Sequence, residues 1–82
     1  MSFIELKYSS WIENWRKEKD DRRIAYNLYK QILEAKKVHD GLKNAFYRLA
    51  ISKAIREQEE EIDKIIYRFS GLKWKDGKWK KG

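Results

Sequence analysis

No proline interrupts this chain anywhere, and no glycine precedes Gly41. Proline removes a backbone donor and clashes with the preceding turn, and glycine weakens a helix interior by about 1 kcal/mol. Their absence leaves long stretches with one cheap local solution, the α-helix. No Ser/Gly-rich linker divides the first seventy residues, so a second domain is not expected. A chain of 82 residues buries only about 60 % of the surface its unfolded form exposes. Its core must therefore be helical and economical, or shared with a partner.

Apolar spacing divides the chain into three helices. In "SFIELKYSSWIENW" the residues Ile4, Tyr8, Trp11, Ile12 and Trp15 fall on one face. Two capping boxes compete there, Ser2 with Glu5 and Ser10 with Glu13. Either one helix runs from about residue 3 to 19, or a lead-in ends near Ser9 and the helix begins at Trp11. Asp20 and Asp21 then cap a second helix, whose inner face is marked by Ile24, Leu28, Ile32 and Ala35 and widened by Ala25, Tyr29 and Leu33. Gly41 is placed to end it in the left-handed conformation. The third helix is predicted from about Leu42 to Ser70. Along it Ile51, Ile55, Gln58, Ile62, Ile65 and Phe69 alternate spacings of four and three, which makes a heptad seam with one polar position. The seam either packs on the first two helices or, if the long helix outruns them, pairs with a second copy or another protein, Gln58 fixing the register.

The last eleven residues, "LKWKDGKWKKG", depart from this pattern. Asp76-Gly77 between alternating residues is a strong hairpin signal, because both central positions of a type I′ turn need positive φ. A two-residue loop sets Lys75 against Lys78, Trp74 against Trp79 and Lys73 against Lys80, with tryptophan on one face and four lysines on the other. The segment "WKDGKW" resembles the small designed tryptophan-zipper hairpins and, distantly, one hairpin of the choline-binding repeat family. The resemblance implies a hairpin shape and no ligand. The expected class is thus all-α: a small three-helix bundle over residues 1–71 with a long third helix, followed by a short hairpin or basic tail over 72–82. An isolated hairpin with opposed lysines is marginal in water, so the tryptophans pack on the helices, or an anion neutralises the lysines while the indoles stack on bases or fill a partner's pocket. The two are not exclusive, since inward tryptophans present the lysines outward as a row.

Charge is distributed in blocks. The net is +7 overall: −1 over residues 1–21, +7 over 22–56, −3 over 57–71 and +4 over 72–82. Two basic blocks separated by an acidic collar attract polyanions through their summed field. Lys43, Arg48, Lys53 and Arg56 lie in a stretch, 41–56, without one acidic residue, and Arg48, Ser52 and Arg56 share a helical face. In the collar, Glu57, Glu59, Glu60, Glu61 and Asp63 are scattered around a helix, so at most two, Asp63 with Glu59 or Glu60, share a stripe, and they read as solvated.

Several functions are disfavoured by the residue inventory. Cysteine is absent and His39 is the single histidine, which leaves no metal site and no thiol chemistry; no cofactor is expected. There is no nucleophile elbow and no glycine-rich phosphate loop, and His39 beside Asp40 lacks a third member, so the chain does not read as an enzyme with a small-molecule substrate. No apolar run approaches a membrane span or a signal peptide, and a membrane-surface role is weakened by acids in the first helix. A cytoplasmic protein, of a host cell or a virion, is expected. The leading expectation is a nonspecific nucleic-acid binder, with phosphate contacts from Lys73, Lys75, Lys78, Lys80 and Lys81, aromatic contacts from Trp74 and Trp79, and support from Lys43, Arg48, Lys53 and Arg56. The alternative is a viral or mobile-element protein-interaction module, an inhibitor or an assembly subunit, acting through Ile51, Ile55, Gln58, Ile62, Ile65 and Phe69 and the aromatic first helix, as a homodimer or with another protein.

Overall fold

The computed structural model describes residues 3–82. It is an all-α three-helix bundle with a C-terminal hairpin: α1 (Phe3–Ile12), a single 3-10 turn over Glu13–Trp15, α2 (Asp21–Gly41), α3 (Ala45–Ser70), β1 (Leu72–Lys75) and β2 (Lys78–Lys81). One core joins Ile4, Tyr8 and Ile12 of α1, Ala25, Tyr29 and Ile32 of α2, and Ile55, Ile62, Ile65 and Ile66 of α3. Among the described residues no helix is long and apolar enough to cross a membrane.

Helix ends differ from expectation in instructive ways. The first helix runs from Phe3, as the longer alternative predicted, passes straight through Ser9 and Ser10 and stops at Ile12, well short of residue 19, so Ser10 does not start a helix; the Ser2 box lies outside the described residues. The 3-10 turn tightens the exit and brings Trp15 against Phe69, with ring centroids 6.2 Å apart. Asp20 caps α2 as predicted, its carboxylate accepting from the Arg22 backbone N–H at 3.0 Å. The Arg22 guanidinium grips the same carboxylate at 3.1 and 2.9 Å and, with that N–H, holds its pKa below the usual range.

Gly41 does not take the left-handed conformation. The helix runs through it, and Leu42 leaves in extended geometry while its N–H reaches His39 O at 3.2 Å. The stronger device is the next residue but one: the Asn44 side chain accepts from the N–H groups of Phe46 and Tyr47, at 2.9 and 3.4 Å. The third helix therefore starts at Ala45, three residues later than predicted. The left-handed cap belongs to Gly71, at φ 71°, whose N–H bonds Tyr67 O at 2.8 Å.

The inner face of α2 is turned by about one residue from the predicted one. Ala25, Tyr29 and Ile32 are buried, Leu28, Leu33 and Ala35 are half-buried, and Ile24 is 52 % exposed. A methyl at position 25 lets the helices approach closely where an isoleucine would hold them apart. The seam of α3 faces inward over most of its length: Ile55, Ile62 and Ile65 are core residues, Ile51 is half-buried, and Ile66, outside the heptad, is fully buried. Gln58 donates to the Gln31 side chain of α2 at 3.0 Å. Phe69 ends the seam 47 % exposed.

At Gly71 the chain reverses. The Leu72 N–H bonds the Ser70 hydroxyl, which itself bonds Ile66 O, tying the strand to the helix end. The hairpin register is the predicted one: Leu72 with Lys81, Lys73 with Lys80, Trp74 with Trp79 and Lys75 with Lys78. Asp76 and Gly77 both have positive φ, 54° and 76°, as a type I′ turn demands.

Candidate functional site

The hairpin is held from below. Trp74 and Trp79 meet edge to face at 5.2 Å, and Trp79 continues onto Trp11 at 5.9 Å and Tyr8 at 6.1 Å. Its indole N–H donates to the carbonyl of Lys7 at 3.0 Å, while Trp74 meets Phe3 at 6.3 Å. The tryptophans thus pack on α1, which supplies the support that an isolated two-stranded ribbon lacks.

Beneath the rings lies Lys7, only 6 % exposed. Its ammonium is 5.0 Å from the Tyr8 ring centre, 5.8 Å from Trp74 and 5.9 Å from Trp79. It pairs with Asp63 at 3.1 Å and Glu59 at 3.7 Å. The Tyr8 hydroxyl donates to the other Asp63 oxygen at 2.6 Å; burial, reinforced by that bond and the negative charge, pushes its pKa up strongly. Two members of the acidic collar, expected to be solvated, are therefore the counterions of a buried lysine. A sequence pattern assigns no partner to a lysine 56 residues from its carboxylate, so this cluster escaped the spacing argument.

With the tryptophans turned inward, Lys73, Lys75, Lys78, Lys80 and Lys81 are all exposed, the Lys73 ammonium reaching back to the Tyr67 ring of α3. Lys80 makes a 3.8 Å pair with Asp76, an exposed contact that contributes little. Cross-strand pairing sets Lys73 opposite Lys80 and Lys75 opposite Lys78, like charges that repel until an anion neutralises them.

The second basic group is not brought to the first. Lys43 lies in the connection before α3, while Arg48, Lys53 and Arg56 are exposed in its first half; among the described residues none of the four makes an ion pair. Arg56 is fourteen residues before the helix end at Ser70, about 21 Å along the axis. Near these cations Phe46 is 76 % and Leu49 69 % exposed, an apolar surface that the heptad pattern did not single out. Of the aromatics in α1 and the turn after it, Tyr8 is buried and Trp11 and Trp15 are half-buried against the core, while Phe3 is exposed.

His39 has the third contact that its neighbourhood in sequence lacks. Its Nε2 is 3.0 Å from the Ser52 hydroxyl across the α2–α3 contact, and its Nδ1 is 3.2 Å from Asp40. The string has the order of a nucleophile, base and orienter. Ser52 nevertheless sits inside α3, where the neighbouring N–H groups are engaged in helix bonds and form no oxyanion hole. Among the described residues no three potential metal ligands converge.

No protein-family model matches the chain, and no curated protein or solved structure is significantly similar to it.

Proposed function

We propose that the protein binds nucleic acid through its phosphate backbone, with little sequence selectivity, and that the C-terminal hairpin is the principal contact. One observation carries this reading: the tryptophans anchor the ribbon to α1 and leave Lys73, Lys75, Lys78 and Lys80 as an exposed row on a fixed support. A row of opposed like charges costs the free protein stability, which a polyanion restores. Lys43, Arg48, Lys53 and Arg56, without ion pairs among the described residues, extend the positive field along the molecule.

Fluorescence anisotropy of labelled oligonucleotides over a salt series between about 50 and 200 mM tests it. Affinity should fall steeply with salt. Replacing Lys75 and Lys78 by glutamine should lower the slope of log K against log salt by about 1.4–1.8, the loss of two phosphate contacts. Absence of binding by the intact chain at low salt refutes the reading. Truncation after Gly71 is a poor substitute, because it also strips Trp79 from Tyr8 and Trp11.

A second reading, a protein-interaction module, is favoured by the exposed Phe46 and Leu49 on the first turns of α3. Under it, changing both to serine abolishes association with a protein partner and leaves any oligonucleotide affinity unaltered.

A further inference from the structure

Between α3 and the hairpin runs a groove of about 550 Å³ lined by Asp63, Lys64, Tyr67, Arg68, Lys73 and Trp74. Its size is that of a small-ligand site. Its chemistry is specific: two aromatic rings, three cations and one carboxylate. The carboxylate is already engaged, one oxygen bonded to the Lys7 ammonium and the other to the Tyr8 hydroxyl, so its charge toward the groove is partly offset. Lys64 and Arg68 hold exposed pairs with Glu61 at 3.6 Å and Asp21 at 3.0 Å, contacts weak enough to exchange for a phosphate. Lys73 belongs at once to the hairpin row and to the groove, its ammonium lying 5.0 Å from the centre of the Tyr67 ring. Tyr67 itself is 43 % exposed and lines the groove beside Trp74.

We infer that this groove seats an unpaired nucleobase, so that the protein binds single-stranded nucleic acid in preference to duplex. The inference rests on the phosphate-binding reading of the lysine row. A strand whose phosphates follow Lys73, Lys75, Lys78 and Lys80 carries its bases on short flexible links, and the groove opens beside the first of those lysines. A phosphate draws the Lys73 ammonium off Tyr67, and the freed ring face receives the base. A base offers what the lining asks for: a flat apolar face for Tyr67 and Trp74, joined to an anion for Lys64, Arg68 and Lys73. An acidic peptide supplies the charge without the ring. Duplex bases are stacked and paired inside the helix, so entry requires unpairing, which costs a few kcal/mol.

The test uses the full chain and a thymine oligonucleotide carrying one 2-aminopurine, single-stranded or annealed to its complement, with affinity read by anisotropy. The expected result is tighter binding of the single strand, with 2-aminopurine emission quenched as the base stacks. Tyr67→Ala should weaken single-strand binding about tenfold and abolish the quench, leaving duplex binding within about twofold. Tyr67→Phe should retain both, and Tyr67→Leu, which keeps apolar bulk and helix propensity, should behave as the alanine variant, so that a folding loss is not mistaken for a lost contact. Lys75→Glu with Lys78→Glu should weaken both forms alike. Equal affinity for both forms, indifferent to Tyr67→Ala, overturns the groove and leaves the lysine row standing. A loss by Tyr67→Ala of both forms equally also overturns it. No binding of either form by the intact chain overturns both readings.

Discussion

Replacing Asp63 by asparagine should cost more stability than replacing Lys7 by methionine, although the two changes remove the same ion pair. The reason is unequal burial. The Lys7 side chain is 7 % exposed, whereas those of Glu59 and Asp63 are 22 % and 38 % exposed and can recover water when the lysine goes. Methionine keeps the length and apolar stem of lysine under the Tyr8, Trp74 and Trp79 rings, so Lys7→Met forfeits mainly a partly screened pair, about 1–2 kcal/mol. Asp63→Asn strands an ammonium that cannot rehydrate and leaves it Glu59 at 3.7 Å. Breaking a fully buried pair costs about 3–5 kcal/mol; with Glu59 and three rings remaining, about 2–4 is expected here. For a domain of this size each kcal/mol moves the midpoint by about 4–8 °C. Urea unfolding followed by tryptophan emission measures both variants and the double variant, which should be less unstable than the sum by about 1 kcal/mol or more. If Asp63→Asn is the milder change, or the two effects simply add, a buried and paired Lys7 does not hold the hairpin down.

Two further outcomes follow from the same geometry. Because the folded state raises the Tyr8 pKa, its contribution is complete below the ordinary tyrosine value near 10 and is lost as pH climbs above it, where the unfolded chain ionises first. The wild type should therefore lose stability from about pH 10 upward, and Tyr8→Phe, less stable at neutral pH, should show a shallower alkaline decline in thermal melts. Asn44→Ala should lower stability by about 1 kcal/mol through loss of the α3 cap, and Asn44→Asp should recover most of it.

Local chemistry was the legible part of this molecule. The Asp76-Gly77 pair fixes its turn from two residues, and a two-residue turn leaves one register, so the pairing of Trp74 with Trp79 follows without knowledge of the rest. Asp20 was equally plain. Gly41 and Asn44 show where such reasoning slips: both are boundary residues within four positions, and the side-chain cap at Asn44 set the start of α3 while Gly41 stayed helical. The candidate site was legible in one half. Which hairpin face points outward depends on where the tryptophans go, and that is decided by Tyr8, Trp11 and the Lys7 carbonyl about seventy residues away. Nothing in the sequence singles out Lys7, because burial of a lysine requires partners from three segments, and no periodicity joins Lys7, Asp63 and Trp79.

The indole of Trp79 closes over α1, its N–H bonded to a carbonyl 72 positions earlier in the chain. During synthesis the segments of α2 and α3 emerge and can pair as a helical hairpin, but α1 has no complete seat until β2 has left the ribosome. At about 5–20 residues per second, the interval between translating Lys7 and Trp79 is several seconds, during which Tyr8, Trp11 and the ammonium of Lys7 lack their final cover. A small helical protein usually assembles from near neighbours and folds fast. Here β2 sets when the first helix can finish folding, and α1 waits through the translation of α2, α3 and β1 for the last of its cover.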